Sequence, residues 1–326
     1  MTESGASFSL SDPAERDMLL SPEIPYDNFS FVVESRYCYL EQYTGNSAEV
    51  NVPSVSRNLP VIGIADDAFA GNPYVQPDSL PSSISSIGAH AFSGCTSLVS
   101  VVGADGVSDI GDGAFDGCDS LQTVPAYAAA IAEGAFRGTS LRSVSFAAGC
   151  AVERIPAYAF YGCASLASID LSALPLESVG ESAFEGCSML ESVSLAQRTA
   201  KVGAHAFKDC TSLESVQMDG VLEMGEGVFQ NSGLTSIDLR NLAPSGFFAV
   251  NTFDLPGDTF RGCSKLVSVV LPQTLSSIGA YAFAGCTSLE TVTVNADADS
   301  SLTKIYEGAF DDCRSLRTVI LFARTI

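Results

Sequence analysis

The sequence predicts an α/β repeat solenoid: a curved stack of short coils with one parallel β-sheet on the concave face and short helices or 3₁₀ turns on the convex face. Three observations predict it. The stretch IGAHAFSGCTSL at 87–98 returns almost unchanged as IGAYAFAGCTSL at 278–289. The Phe that anchors both copies recurs along most of the chain at a near-constant period. After each anchor, a leucine opens a short run in which apolar and polar residues alternate.

The anchors are Phe69, Phe92, Phe115, Phe136, Phe160, Phe184, Phe207, Phe229, Phe260, Phe283 and Phe310, at intervals of 23, 23, 21, 24, 24, 23, 22, 31, 23 and 27 residues. A Leu-rich period of about 20–29 residues is that of leucine-rich repeats. A small residue, usually Ala, precedes the anchor, as at Ala91, Ala183 and Ala282. Leu follows six residues later, from Leu98 to Leu316, or five later at Leu141 and Leu234. The run L-x-[ST]-[VI] that comes next has the period of a strand. The G-x-x-A-F portion is too short for a free-standing helix and reads as one helical or 3₁₀ turn. A single copy cannot bury its apolar face, whereas stacked copies line Phe, Leu and Val into ladders. The twelve residues recur because neighbouring coils fill equivalent space.

The copy LSSIGAYAFAGCTSLETVTV at 275–294 carries the pattern in full. With its ten companions it resembles the BspA-type (Treponema pallidum-type) leucine-rich repeats, over about residues 61–321. The resemblance implies a curved solenoid used for adhesion or protein recognition, often at bacterial or protist surfaces. It implies no particular ligand.

Composition narrows the partners. The 326 residues carry 38 acids against 16 bases, for a net charge of −22. So acidic a surface repels nucleic acid and anionic lipid. No stretch reaches the roughly 18 apolar residues of a membrane helix, so no membrane insertion is expected. The first 30 residues lack the basic start and apolar run of a signal peptide. The expectation is therefore a surface or secreted protein in trimmed form or, alternatively, a cytoplasmic one.

Eight of the ten Cys occupy one slot, three residues after the anchor: Cys95, Cys118, Cys163, Cys187, Cys210, Cys263, Cys286 and Cys313. Single cysteines so spread do not make a zinc site, and a thiol in a periodic core slot reads as a small buried hydrophobe. Cys38 and Cys150 stand outside the ladder and are expected to be the more reactive thiols. Three residues before the anchor, Asp66, Asp112, Glu133, Glu181, Glu226 and Glu307 are read as stabilising the start of the short helix. His90, His205, Tyr158 and Tyr281 share the next slot, on the helix-bearing side. The two His lie five coils apart, about 24 Å at strand spacing, too far to share a metal. GDGAFDG and GEGVF lack nucleotide-loop spacing, NADADSS at 295–301 lacks the Gly and Glu of a calcium loop, and no hydrolase or metalloprotease motif occurs. Neither enzymatic activity nor a cofactor is expected.

Recognition is placed on the concave sheet. In each strand the hydroxyl residue and the residue two further on point outward. The hydroxyl column, Ser100 to Thr318, reads as structural. The second column varies, and its candidate partner-binding residues are Ser145, Asp170, Ser194, Gln217, Asp238, Val270 and Thr293. An insertion at 241–253 adds a loop candidate, Phe247, Phe248 and Phe253. Residues 1–30 read as a disordered tail, 31–60 as an N-terminal cap with Tyr37, Tyr39 and Tyr43 supplying bulk, and 61–326 as the repeat domain. The last coil shows no cap, so the expectation is further protein downstream or self-association through that end. The function these readings give is a non-enzymatic, adhesin-like module for a protein or glycan; the alternative is an intracellular interaction scaffold.

Overall fold

The structure is a computed structural model that describes residues 28–77, 80–103, 106–124, 130–146, 149–242, 252–294 and 302–320. It is a β-solenoid of eleven coils, one for each anchor Phe. A coil passes through a tight turn holding the anchor, a first short strand after the Leu, a return loop, and a second short strand that leads into the next turn. The strand pairs between coils are parallel, for example Ser192↔Ser215 in the first row and Ser178↔Lys201 in the second, with one register shift, between Phe253 and Asp254 where Phe253–Leu255 meets Leu275–Ile278.

No helical turn of any kind occurs among the described residues, which corrects the convex helices the sequence suggested. The reason lies in the backbone around the anchor. The residue two before each Phe and the residue two after it are both left-handed, in all eleven coils. Such residues interrupt a right-handed helix. The later slot is Gly in eight coils and Asp209, Asn231 or Asp312 in the other three, the residue types that tolerate this conformation best. The earlier slot holds His90, Tyr158, His205 and Tyr281 at φ of 53–56°; they are turn residues, not helical ones. Three N–H groups per turn then point along the stack instead of back into their own coil. Those of Tyr158, Phe160 and Gly162 donate to the carbonyls of Glu181, Ala183 and Glu185 at 2.9, 2.9 and 2.7 Å. The pattern repeats at all ten junctions. The acids of the neighbouring slot also act between coils: Asp66 and Asp112 accept from the N–H of Ala89 and Glu133 in the following coil, at 2.7 and 3.1 Å.

The expected single sheet is two rows of strands: the second is broken twice, and the first is more fragmented, with the pair Glu49–Val50 and Gln76–Pro77 and a lone Ser100↔Thr123 bridge ahead of its two ladders. In the first row, Ser143, Ser168, Ser192 and Ser215 begin one four-stranded ladder, and Ser236, Ser268, Thr291 and Thr318 begin another. Each ladder starts at a coil whose Leu follows the anchor by five residues instead of six, Leu141 and Leu234. The second row breaks after the same two coils, between Ile131 and Arg154 and between Met224 and Phe253.

The anchors form one column of parallel rings, with centroids 4.8–5.7 Å apart and planes within 14°. Such near-parallel rings lie within the range of about 4.5–7 Å between centroids of favourable aromatic pairs. At the N-terminal end Phe29–Val33 pairs antiparallel with Cys38–Tyr43. Phe29 and Ser30 thus belong to the cap, not to a tail, while residues 1–27 lie outside the described ones. Tyr43 extends the ring column, 5.5 Å from Phe69 and 4.8 Å from Phe29.

Every ladder thiol donates to the carbonyl of the preceding coil's anchor, at 2.9–3.2 Å. Three coils lack the Cys: the first has Asn72 in its slot, and the other two place Thr139 and Ser232 there, whose hydroxyls bond the next thiol at 3.2 and 3.3 Å. Burial pushes Cys95 up to about 12 and Cys163 and Cys263 to about 11, the last two held lower by those hydroxyls. The expectation for Cys38 and Cys150 is overturned. Both are buried, and burial raises the Cys38 thiol, which faces the carbonyl of Pro60 at 3.5 Å. The ladder's last member, Cys313, is the one that is partly exposed.

Candidate functional site

The outward face of the first strand row follows from period two. In Ser192–Val193–Ser194 the Val is buried, and the hydroxyl residues on either side point away from the core. Repetition turns this into two outward columns. The hydroxyl column runs in register from Ser143 to Ser215 and again from Ser236 to Thr318. Its hydroxyls do not bond from strand to strand. Those of Ser143, Ser168, Ser192, Ser215, Ser236, Ser268, Thr291 and Thr318 have no partner in the chain among the described residues.

The second column is assembled as the alternation requires. Ser194 pairs with Gln217, and its hydroxyl donates to the Gln217 Oε1 at 3.3 Å. Asp238, Val270 and Thr293 are successive partners, followed by Ile320. Ser145 and Asp170 lie just beyond the strand ends Val144 and Ile169, both exposed. Asp170 and Ser194 rim a shallow depression of about 310 Å³, floored by Val144 and Ile169 and edged by Ser168 and Ser192.

Two carboxylates on this face are held in place by residues that the reading of the sequence missed. Asp170 Oδ1 accepts from both the N–H and the hydroxyl of Ser172, at 3.0 and 2.7 Å. That hydroxyl bond is the main reason its carboxyl titrates below the usual range. Partial burial works against ionisation of Asp238. The Arg240 backbone and guanidinium, at 3.0 and 2.9 Å, outweigh it and lower the carboxyl. The legible signal was Asp followed two residues later by a donor just after a strand, the pattern of an Asx turn.

Phe253 leaves the candidate site. It opens the strand Phe253–Leu255, pairs with Leu275 and is only 5 % exposed. Period two turns it and Leu255 inward around exposed Asp254. Phe247 and Phe248 lie outside the described residues, as do residues 295–301. A second depression, about 330 Å³, lies on the turn side between His90 and Tyr158, where Gly113 and Gly134 leave two successive slots without side chains. Among the described residues no cluster of potential metal ligands occurs, and no helix is long and apolar enough to cross a membrane.

A stack of identical coils, its interior filled by fixed slots and one flank lined by free hydroxyls and differing side chains, defines a repeat protein of the leucine-rich class, generally a protein-interaction module. The BspA type Leucine rich repeat region, in six copies, matches residues 62–147, 129–253 and 254–325, and the chain belongs to this family. No curated protein matches the chain. Among solved structures it is similar to a leucine-rich repeat protein from Bacteroides ovatus, at 22 % identity and a TM-score of 0.67, covering 90 % of this chain and 81 % of that one. At this identity the likeness concerns the fold. It also matches a leucine rich cell surface protein from Faecalibacterium prausnitzii, at 24 % identity and a TM-score of 0.49, covering 90 % and 93 %. The T. pallidum leucine-rich repeat protein matches at 20 % identity and a TM-score of 0.27, covering 91 % of each chain.

Proposed function

We propose that the chain is a non-enzymatic, adhesin-like recognition module at the cell surface, and that it binds a protein partner across the outward face of the first strand row. The observation that supports this best is the unused hydrogen-bonding capacity of that face. Eight hydroxyls, six of them on exposed residues and those of Ser268 and Thr291 on half-buried ones, stand at strand spacing with no partner in the chain among the described residues, beside carboxylates at Asp170 and Asp238 already fixed in direction. Groups oriented before binding lose little freedom when a partner arrives. Ser145, Asp170, Ser194, Gln217, Asp238, Val270 and Thr293 supply the differences from coil to coil that specificity needs. An intracellular scaffold would use the same face. The thiol column does not separate the two readings, because burial keeps those thiols protonated in either setting.

The test is a binding screen of the chain against matrix proteins, host-cell surfaces and glycans. It is run beside a folded triple variant, Asp170→Ala, Gln217→Ala and Asp238→Ala. A protein hit weakened at least about tenfold by the variant, or about 1.4 kcal/mol, supports the reading. A hit left unchanged removes recognition from this face, and a glycan-only hit replaces the partner class.

A further inference from the structure

On the turn side, the left-handed slot two before the anchor carries a contact that repeats along the stack with one omission. The slot is glycine four times, at Gly113, Gly134, Gly227 and Gly308. A Cβ built at Gly113 would meet the His90 ring at 2.5 Å, one at Gly227 the His205 ring at 2.7 Å, and one at Gly308 the Tyr281 ring. In these three coils the ring of the preceding coil lies over the glycine and leaves no room for a side chain. The fourth ring in the slot, Tyr158, also reaches the following coil, where its hydroxyl donates to Glu181 Oε1 at 3.2 Å. Among the four glycines, Gly134 alone has no ring before it, because the preceding slot is Gly113. A Cβ built at Gly134 meets nothing within 4 Å. Nor does its φ of 61° demand glycine, since Asp67, Ser182 and Asp258 occupy the same slot at 50–57°.

The place that a ring fills elsewhere is thus bare above Gly134, and it forms the turn-side depression of about 330 Å³. Its floor is backbone. The His90 ring over Gly113 closes one end and Tyr158 the other. Gly113 and Tyr158 are two coils apart, about 10 Å at strand spacing, which leaves room for one planar group between the two rings. The flanks are acidic. Asp116 is matched by Arg137 at 4.0 Å. Asp112 accepts from the Glu133 N–H at 3.1 Å but has no ion pair among the described residues, and the Glu133 carboxylate has neither hydrogen bond nor ion pair there. The same side of the stack twice lays a guanidinium on a Tyr ring, Arg137 over Tyr161 at 5.3 Å and Arg261 over Tyr281 at 5.7 Å.

We infer that this gap is a receptor for one arginine side chain of a partner protein, whose guanidinium takes the place of the missing ring. A guanidinium is flat, stacks on aromatic faces and meets a carboxylate through parallel N–H donors. It therefore answers both the rings of His90 and Tyr158 and the unmatched Glu133. An apolar ring fits the gap but leaves two carboxylates uncompensated. An ammonium group answers the charge, but as a compact, strongly hydrated point it does not fill a flat slot. The site lies on the turn side, so it is separate from the first strand row and does not depend on what that row binds.

Amide NMR titration of the isotope-labelled full chain at physiological ionic strength tests the proposal. The probes are a short Gly-Ser peptide with one central arginine and the same peptide carrying lysine, phenylalanine or citrulline, the uncharged planar isostere of arginine. The arginine peptide is expected to give saturable shifts centred on Gly134 and to bind about tenfold or more tighter than the other three. Gly134→Ser puts in the floor the residue that Ser182 places in this slot, and it is expected to weaken binding by a similar factor while amides elsewhere keep their positions. Glu133→Gln keeps the shape of the rim and is expected to weaken binding about threefold. No saturable shift at Gly134, equal binding of the lysine or citrulline peptide, tighter binding of the phenylalanine peptide, or unchanged affinity in both variants would each overturn the proposal. Free arginine amide binding as tightly as the peptide would overturn the protein partner in favour of a small guanidine.

Discussion

The same chemical group meets opposite fates on two sides of this stack. On the turn side, the Thr139 hydroxyl is buried, donates to the Phe136 carbonyl at 2.9 Å and bonds the Cys163 thiol. On the first strand row, the Ser192 hydroxyl is exposed and has no partner in the chain among the described residues. The turn side runs unbroken through all ten junctions, while the first strand row is interrupted several times, two of its breaks falling at the coils that are one residue shorter. Continuity of the stack therefore rests on the turns, and the strand row is left free to vary. The contrast predicts large stability effects on one side and small ones on the other.

The largest effect is expected from alkaline pH, because it acts on the whole thiol column together. Burial raises Cys95, Cys118, Cys163, Cys187, Cys210, Cys263 and Cys286 above the ordinary thiol value of 9.0. Their contribution is fully present below that value. Above it the unfolded chain loses thiol protons that the folded chain keeps, and stability falls by about 1.4 kcal/mol per pH unit for each such thiol. Urea midpoints measured at pH 7, 9 and 10 should drop steeply over the last step. The double variant Cys187→Ser and Cys210→Ser should drop less, and an equal drop would assign the effect to other groups. Phe184→Ala comes next. Its ring is buried between Phe160 and Phe207, each 5.4 Å away, and removal costs about 3–5 kcal/mol in the same urea assay.

Much of this was legible in the sequence, and what was not has a physical cause. The anchors, the small residue before them, the Leu slot and the buried thiols are fixed by packing that each coil repeats, so spacing alone reveals them. The turn conformation was hidden because a slot holding Asp67, His90, Gly113, Tyr158 and Ser182 shows no common side chain. What those residues share is a positive φ, which composition does not display. Two of the breaks in the first strand row fall at Leu141 and Leu234, but the shorter spacing there says nothing of strand pairing until neighbouring coils are in place. At the site, Asp170 and Asp238 could be placed by alternation, while Ser172 and Arg240 could not, because they act through a local turn beyond the strand. Phe253 was misplaced because an insertion conceals where the next strand begins.

A smaller effect separates backbone from packing on the turn side. Gly162 sits at φ +71°, and a Cβ built there meets nothing nearer than the Gly138 Cα at 3.9 Å. Gly162→Ala therefore adds conformational strain without a clash and should cost about 1–2 kcal/mol. Gly162→Asn should cost less, since Asn231 fills the equivalent slot at φ 57°. Equal losses in the two variants would show that packing, and not φ, selects glycine here.

The smallest effect tests the comparison most directly, because it removes one hydroxyl from each side. Thr139→Val keeps shape and burial but deletes the donor to the Phe136 carbonyl and the partner of Cys163. That carbonyl still accepts from the Cys163 thiol at 3.1 Å, so the loss is about 1 kcal/mol, the net value of one hydrogen bond. Ser192→Ala deletes a hydroxyl that holds nothing within the chain, and its stability should stay within about 0.5 kcal/mol of the parent. Under the proposed function the same Ser192→Ala change weakens partner binding, while Thr139→Val leaves binding intact. A Ser192 variant that lost stability as much as the Thr139 variant would mean that the first strand row, too, is committed to holding the stack together, and the face proposed for recognition would have no free groups to offer.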